Sequence, residues 1–201
     1  MKMLVLWTTL IALVIFGGFV FYENQIKDVK IETNVAPGKA ELVLYEDFRC
    51  FGCRTFNQEI LPKIRAKYGK TDKIEFKFVI LAFLKDSKSL GNAALEVLHQ
   101  TPDRFEAYSY EIFSHVDEID KDNTDEMLIQ LAEKVGGIDI VSLKTCMEAK
   151  CHYAELDQNL QKARAIMGKH LQIPTLFING SPVSVLNYQA IQKRIDQAIG
   201  S

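Results

Sequence analysis

The stretch YEDFRCFGCRTF, residues 45–56, contains Cys50 and Cys53, two of the four cysteines of the chain. The apolar run ELVLYED (41–47) predicts a β-strand, and the residues from Cys50 to about Tyr68 predict a helix. The pair Cys-x-x-Cys therefore lies where a strand turns into a helix. A cysteine at the start of a helix has unusual acidity, so this stretch is the first candidate for a functional site.

The expected chemistry of this pair is thiol–disulfide exchange. A thiolate at a helix N-terminus faces unpaired backbone N–H groups and the positive end of the helix dipole, which lowers its pKa. Cys53 follows one turn later, within bonding distance of Cys50, and a thiolate of low pKa is both a nucleophile and a good leaving group. We therefore interpret the pair as redox-active. An inert disulfide is one alternative; half of a zinc site is another, with further ligands from Cys146, Cys151 and His152.

The residues that follow predict a mixed α/β domain with a long helical block. IEFKFVIL (74–81) predicts a strand, and its nearly continuous apolar character favours a central position with both faces covered. Apolar residues then recur every three or four positions through about 88–170, which predicts several helices. Pro62 is expected to kink the first helix because proline removes an intrahelical hydrogen bond.

Strands return near the C-terminus, so strands that are distant in sequence share one sheet. PTLFI (174–178) and PVSVL (182–186) flank Asn179-Gly180, which is typical of a type I′ hairpin turn. If the Ile173–Pro174 bond is cis, this loop can pack against the two sulfurs and leave backbone groups free for a bound peptide. An Ile-Pro pair alone is weak evidence, but it becomes specific in this order after Cys-x-x-Cys.

The N-terminus predicts export. Residues Met3 to Tyr22 carry no charge, and about 20 such residues cross a bilayer as a helix. Lys2 before them places the N-terminus in the cytoplasm and the rest outside. The run ends in bulky residues, so we expect a retained anchor, followed by a polar linker (23–40); a cleaved signal peptide is the alternative. In an exported chain, paired cysteines form disulfides.

Composition narrows the function classes. The 201 residues are 48% hydrophobic and 25% charged, with a net charge of −2, which fits one globular domain. No cluster of Lys and Arg is interleaved with aromatic residues, so nucleic acid is not an expected partner. No cofactor and no metal are expected.

The second cysteine pair, Cys146 and Cys151, predicts a structural disulfide. In one continuous helix the two residues would be about 7.5 Å apart along the axis, whereas the Cα atoms of a disulfide lie within about 7 Å. A bond therefore requires the helix to break near Ala149–His152. Two buried free thiols are the main alternative, and metal binding with His152 is a weaker one.

The run Glu46-Asp47-Phe48-Arg49-Cys50-Phe51-Gly52-Cys53, with ILPKI after it and IPTLFING later, resembles DsbA-type thiol–disulfide oxidoreductases. The resemblance is strongest to the membrane-tethered members related to BdbD of Gram-positive bacteria. It runs from about Glu41 to the C-terminus and implies a thioredoxin fold over 41–201, with a helical domain inserted at about 88–170.

The resemblance also implies roles for particular residues and partners. Cys50 corresponds to the nucleophile, Cys53 to the resolving thiol, and Pro174 to the cis-proline. Exported proteins with reduced cysteines are the implied substrates, and a DsbB-like membrane quinone reductase is the implied partner for reoxidation at the extracytoplasmic face of the membrane. The residues expected to contact substrate are Phe51, Gly52, Ile173 and Thr175.

Three positions depart from the family pattern. Phe51 replaces a common proline, Gly52 replaces the histidine of strong oxidants, and Leu44 stands where relatives often carry a buried acid. The direction of electron flow therefore stays open: a reductase or an isomerase is possible, as is a non-catalytic module that binds a peptide or copper. Glu46 and Asp47 are expected to be solvated or paired with Arg49.

Overall fold

A computed structural model of the protein describes residues 29–168, 171–183 and 187–200. The predicted membrane segment, Met3 to Tyr22, lies outside these residues. Within them, no helix is long and apolar enough to cross a membrane.

The chain folds into a mixed sheet with helices on both faces. The described elements are strand β1 (Ala40–Glu46), helix α1 (Phe51–Thr55, Phe56–Ile60 and Leu61–Tyr68), strand β2 (Ile74–Ile80), helices α2 (Lys88–Gln100), α3 (Pro102–His115), α4 (Thr124–Val135), α5 (Ile140–Ala149) and α6 (Tyr153–Met167), strands β3 (Thr175–Ile178) and β4 (Ser181–Pro182), and helix α7 (Tyr188–Ile199). The strand order is β2-β1-β3-β4. Strand β2 is parallel to β1, β3 is antiparallel to β1, and β4 is antiparallel to β3.

Strand β1 is the centre of the sheet, and every one of its residues is buried. Successive side chains of a strand point to opposite faces. Leu42 and Leu44 accordingly join a core cluster with residues of α1 and α7, whereas Val43 and Tyr45 join a second cluster with residues of α6. Both faces of β1 are therefore covered, and the strand delivers the chain to Cys50 from the middle of the domain.

Strand β2 lies at an edge of the described sheet, so the prediction of a central strand covered on both faces is wrong. Glu75 and Lys77 are exposed, whereas Ile74, Phe76 and Phe78 are partly buried and pack against a core cluster. The first five residues alternate between apolar and charged, which is the pattern of a half-covered strand. Only the last residues of the run are continuously apolar.

Helix α1 begins at the cysteine pair and changes its hydrogen-bond pattern twice. A short α-helical stretch over Phe51–Thr55 is followed by a π-helical stretch over Phe56–Ile60 and an α-helical stretch over Leu61–Tyr68. The Leu61 N–H donates to Phe56 O, five residues back. Pro62 lies two residues after the end of this π-helical stretch and has no N–H to donate, so the helix is irregular close to where the proline predicted it.

Helices α2 to α6 form the block between β2 and β3 in the described chain, with a core of their own. Phe48 and Cys53 belong to this core, so the cysteine pair is packed against the helical block rather than against the sheet alone. A polar contact ties the block to α1: Asn57 Nδ2 donates to Ser109 Oγ over 3.3 Å in a buried position.

The hairpin after β3 turns at Asn179 and Gly180, whose φ angles are +46° and +76°. Positive φ at both positions is what a type I′ turn requires. A Cβ on Gly180 would lie 2.3 Å from Ile31 O, and the Ile31 N–H donates to Gly180 O over 3.0 Å. This part of the segment predicted as a linker therefore packs on the domain. Of the predicted strand 182–186, residues 184–186 lie outside the described chain.

Candidate active site

Cys50 lies at the N-cap of α1, immediately after the turn that follows β1. Its backbone is extended, with φ −88° and ψ 120°, so its side chain folds back over the first turn of the helix. The Cys53 N–H donates to Cys50 Sγ over 3.4 Å. Both residues are free cysteines. This cap follows from local sequence, because the apolar strand ends at Glu46 and helix-compatible residues begin at Phe51.

The thiol of Cys50 is unusually acidic. Its pKa is lowered to about 6, first because the Cys53 thiol donates a hydrogen bond to it. The backbone N–H groups of Cys53 and Gly52 act in the same direction, whereas half-burial and the charge of Asp47 oppose them. Cys50 is thus mainly a thiolate at neutral pH and remains reachable from solvent.

The thiol of Cys53 behaves in the opposite way. It is fully buried, and burial raises its pKa far above the ordinary thiol range. Its hydrogen bond to Cys50 and the nearby charge of Glu46 raise the pKa further. The two cysteines therefore form an unequal pair, with one thiolate exposed to partners and one protonated thiol shielded behind it.

The Ile173–Pro174 loop covers this pair. The Ile173–Pro174 peptide bond is cis, and Cys50 Sγ lies 3.6 Å from Ile173 O. A Cβ on Gly52 would lie 2.9 Å from Pro174 Cδ, so the loop approaches the Cys-x-x-Cys backbone as closely as a glycine permits. Any larger residue at position 52 displaces either the proline ring or the helix start.

The four residues predicted to contact substrate surround Cys50 on two segments. Phe51 is 81% exposed beside the thiolate, and Gly52 follows it. Ile173 presents its carbonyl to Cys50, and Thr175 begins β3 opposite Tyr45. The Thr175 hydroxyl donates to Gln172 O over 2.6 Å, which braces the loop from within. The exposed ring of Phe51 and the carbonyl of Ile173 thus lie beside Cys50.

Glu46 departs from its expected position in solvent. Its side chain is fully buried, and neither carboxylate oxygen has a hydrogen-bond partner within the described residues. Burial raises its pKa to about 8, and the charges of Glu106, Cys50 and Asp47 add to this. A signal for its burial was present in the sequence, because Glu46 is in phase with Leu42 and Leu44 along β1.

Asp47 is also buried, and its carboxylate is fully engaged. It accepts hydrogen bonds from the Arg49 N–H and from the Phe83 and Leu84 N–H groups at 2.9–3.1 Å, and from the Ser87 hydroxyl at 3.0 Å. It therefore fixes the turn before Cys50 to the loop after β2. The expected side-chain pair with Arg49 does not form.

The Arg49 guanidinium instead reaches the helical block. It donates to Val116 O and Ile119 O, both at 2.7 Å, and to Asp86 O at 3.4 Å. The residue before Cys50 thus holds the segment between α3 and α4 beside the site. Arg54 adds an ion pair with Asp117 at 2.6 Å.

The second cysteine pair forms a disulfide between Cys146 and Cys151, with Cα atoms 5.1 Å apart. Helix α5 ends at Ala149, and Lys150 takes a left-handed conformation with φ +53°. The break that a disulfide requires therefore occurs between Ala149 and the start of α6 at Tyr153. This pair lies in the helical block, on elements separate from α1.

Cys50 and Cys53 are arranged for thiol–disulfide exchange, because an accessible thiolate has a second thiol within bonding reach, and on this fold the arrangement is that of the DsbA-type thiol–disulfide oxidoreductases. The family model described as "Thioredoxin" matches residues 36–197. The chain therefore belongs to the thioredoxin family.

Individual relatives point to the same class. The chain is 27% identical over 205 residues to a "Probable disulfide bond formation protein D" from Bacillus anthracis, covering 94% of this chain and 92% of that protein. The crystal structure of Chlamydia trachomatis DsbA superposes with a TM-score of 0.70 at 23% identity, over 84% of this chain and 89% of that one. Oxidised BdbD from Bacillus subtilis gives 0.70 at 21%, over 88% and 95%. The structures establish the thioredoxin fold, and the resemblance to DsbA-type proteins is confirmed.

Proposed function

We propose that the protein is an exported oxidase that introduces disulfides into proteins with reduced cysteines. The observation that carries the proposal is the inequality of the two thiols: the pKa of Cys50 is lowered to about 6, whereas burial raises that of Cys53. A thiolate stabilised in this way favours the dithiol form of the enzyme, and an enzyme whose dithiol form is favoured gives its disulfide away.

The reaction begins with the Cys50–Cys53 disulfide. A substrate thiolate attacks Cys50 Sγ, the bond between the cysteines breaks, and Cys53 leaves with the electron pair and takes up a proton. A second thiolate of the substrate then attacks the substrate sulfur of the mixed disulfide, and Cys50 leaves as a thiolate. The substrate loses two electrons, and the enzyme pair gains them.

Glu46 is the group best suited to supply the proton to Cys53. With a pKa of about 8 it is mainly protonated at neutral pH, and it has no competing hydrogen-bond partner in the described chain. Its charge is close enough to raise the pKa of Cys53. A buried thiolate without a proton or partner is costly, so this donor lowers the barrier for Cys53 to leave.

The strength of the oxidant is expected to be intermediate. Thioredoxin has a potential of about −270 mV and DsbA about −120 mV, the latter because its reduced form is stabilised. Here the Cys53 thiol and backbone N–H groups stabilise the Cys50 thiolate, but Gly52 has no side chain to donate a further hydrogen bond. We therefore expect a potential between those two values.

Export and anchoring complete the proposal. The uncharged segment from Met3 to Tyr22 would hold the enzyme at the extracytoplasmic face of the membrane. Exposed Phe51 and the free edge of the Ile173–Pro174 loop would receive an extended substrate segment. A DsbB-like quinone reductase in the same membrane would reoxidise the pair. The name of the B. anthracis relative, which refers to disulfide bond formation, supports this direction.

The direction is tested by two measurements on the full-length protein. Equilibration with glutathione gives the potential of the Cys50–Cys53 pair, and thiol trapping in intact cells gives its resting state. We expect a potential above that of thioredoxin and a mainly oxidised pair. A potential as low as thioredoxin's, with the pair reduced in cells, would identify a reductase. Failure to catalyse either oxidative refolding or insulin reduction would identify a binding module.

A further inference from the structure

A second group of potential ligands surrounds the disulfide of the helical block. It consists of Glu96 on α2, Cys146 in the last turn of α5, and Cys151 and His152 between α5 and α6. One oxygen, two sulfur atoms and one imidazole nitrogen all lie within 4.8 Å of one another. Thiolate, imidazole and carboxylate groups are each ligands of Zn²⁺, and four of them meet its preference for tetrahedral coordination.

The spacing of these atoms fits a tetrahedral ion. Bond lengths of about 2.3 Å to sulfur and about 2.0 Å to nitrogen or oxygen place neighbouring ligand atoms roughly 3.3–3.8 Å apart. Cys151 Sγ already lies 3.9 Å from Glu96 Oε2. His152 Nε2 lies 2.9 Å from the same oxygen, so this pair would open by about half an ångström. The remaining requirement is that the two sulfurs, now joined in a disulfide, become thiolates and separate to about 3.8 Å.

The four ligand residues have hydrogen-bond partners of the kind that metal ligands have in known metal sites. A histidine ligand commonly donates its second ring nitrogen to a carboxylate, which fixes the ring. His152 Nδ1 lies 3.3 Å from Glu155 Oε2, while Nε2 points into the group. Buried Asn92 accepts the His152 N–H over 2.9 Å, and its Nδ2 lies 3.8 Å from Cys146 Sγ. A structural disulfide alone needs none of these contacts.

We propose that Glu96, Cys146, Cys151 and His152 bind one Zn²⁺ once a dithiol has reduced the Cys146–Cys151 bond. Cys151 is exposed and Cys146 is buried, so the dithiol attacks Cys151 Sγ and Cys146 leaves as a thiolate. The second thiol of the reductant then releases Cys151, and the reductant becomes a disulfide. The reductant thus gives two electrons to the protein, and none pass to the metal. Zinc then binds the two sulfurs as thiolates and displaces any protons on them.

The consequence is that the connection between α5 and α6 can be cross-linked in two alternative ways. The α5–α6 corner is held by the disulfide when the pair is oxidised and by the ion when it is reduced. Zinc also provides the positive charge that Cys146 lacks, since a thiolate in the last turn of α5 faces the negative end of that helix. The sequence indicated metal binding with His152 as a weaker alternative to the disulfide. The two states can nevertheless alternate, because the same two cysteines form the disulfide when oxidised and bind the ion when reduced.

The test uses the full-length chain with Cys50→Ser and Cys53→Ser, so that the first pair cannot hold metal. A phosphine reductant breaks the remaining disulfide without chelating the ion, and Co²⁺ is the probe because tetrahedral thiolate coordination gives a charge-transfer absorption band. We expect one Co²⁺ per chain after reduction, displaced by Zn²⁺, and no such band before reduction.

Single substitutions then assign the ligands. His152→Ala should weaken Co²⁺ binding at least tenfold, and Glu155→Gln by roughly tenfold, as loss of an outer-shell partner does. The matched control is His115→Ala, a histidine on α3 that contacts Glu111 of its own helix, which should leave the affinity unchanged. No charge-transfer band after reduction, or equal binding after Cys146→Ala with Cys151→Ala, would overturn the proposal.

Loss of folding does not obscure the result. If far-UV circular dichroism shows that the Cys146→Ala, Cys151→Ala chain is folded, then the disulfide is not needed for folding. The reduced protein that keeps Cys146 and Cys151 must in that case bind Co²⁺, or the proposal is wrong. If that chain loses helicity, Zn²⁺ added to the reduced pair must restore it, and no restoration would equally refute the site.

Discussion

The two cysteine pairs of this chain lie at opposite ends of their helices, and they differ in almost every property that follows. Cys50 caps the N-terminus of α1, where an N–H group points at its sulfur. Cys146 is in the last turn of α5, and Cys151 lies beyond a left-handed residue that ends the helix. The first pair is a free dithiol in the structure, and the second is a disulfide.

The comparison shows that helix position, more than spacing, separates a reactive pair from a structural one. At the N-terminus the dipole and N–H groups stabilise a thiolate, which favours breaking the bond. At the C-terminus the unpaired groups are carbonyls, which favour no thiolate and so leave the disulfide as the stable state. Each pair also has a carboxylate nearby, but Glu46 is buried without a hydrogen-bond partner among the described residues, whereas Glu96 contacts His152.

The largest expected effect is loss of the nucleophile. Cys50→Ser should reduce oxidative refolding of a reduced test protein by on the order of 10³-fold or more, because the covalent intermediate can no longer form. The chain with Cys146→Ala and Cys151→Ala should keep most of its activity. If the second substitution removed activity as fully as the first, the two pairs would not have separate roles.

Labelling of the reduced protein should differ by at least about 100-fold between Cys50 and Cys53 at pH 7, because a pKa near 6 gives mostly thiolate and one above 9 gives under about 1%. The rate at Cys50 should rise with pH through about 6 and then level off. Iodoacetamide with peptide mass spectrometry measures both. Equal labelling, or faster labelling of Cys53, would refute the assignment of Cys50 as the nucleophile.

The cause of this acidity can be separated by a matched pair of variants. The hydrogen bond from the Cys53 thiol is its first cause, so Cys53→Ala should move the midpoint of Cys50 upward. Cys53→Ser keeps a donor and should move it less. An unchanged midpoint in both would assign the acidity to the helix N-terminus alone.

The sequence predicted the position of the Cys50–Cys53 pair better than its surroundings, and the reason is the range of the interactions. The position of Cys50 depends on a strand and a helix that adjoin it. The edge position of β2 depends on where β3 inserts, 100 residues later, which its own pattern cannot specify. The contact of Ile173 O with Cys50 Sγ spans 123 residues, and the sequence indicated it only on the condition that the Ile173–Pro174 bond is cis. Glu46 is buried because it is in phase with Leu42 and Leu44 along β1, although its place at the strand end predicted contact with solvent.

The two disulfides should have opposite effects on the free energy of unfolding. Loss of the Cys146–Cys151 bond, at a sequence separation of 5, should lower the free energy of unfolding by about 2 kcal/mol from the loop-closure relation. Reduction of the Cys50–Cys53 bond should instead raise it, because the folded state stabilises that thiolate. Urea unfolding of the Cys146→Ala, Cys151→Ala chain, with its first pair oxidised and then reduced, measures both. Stabilisation by both disulfides would remove the distinction.

The smallest expected effect concerns Glu46, and its direction follows from linkage. In the folded protein its pKa is about 8, against an ordinary value of 4.5, so between these pH values the folded state keeps a proton that the unfolded chain loses. This contribution to stability is complete below pH 4.5 and is lost as the pH rises through 8. Glu46→Gln should therefore flatten the decline in the free energy of unfolding between pH 5 and 8.

The measurement should be made with Cys50→Ser and Cys53→Ser in both chains, since the reduced Cys50 thiolate changes stability with pH in the opposite sense. Glu75→Gln, at an exposed position on β2, is the matched control and should leave the slope as it is. With the cysteines restored, Glu46→Gln should slow release of Cys53 by about tenfold at pH 7, below the 10²–10⁴ range of positioned acids, because the glutamine amide can still donate a hydrogen bond to the leaving sulfur. A flattened stability profile with an unchanged rate of Cys53 release would make Glu46 a buried residue without a part in proton transfer. A slowed rate of Cys53 release that no longer varies around pH 8 would make Glu46 the proton donor to Cys53.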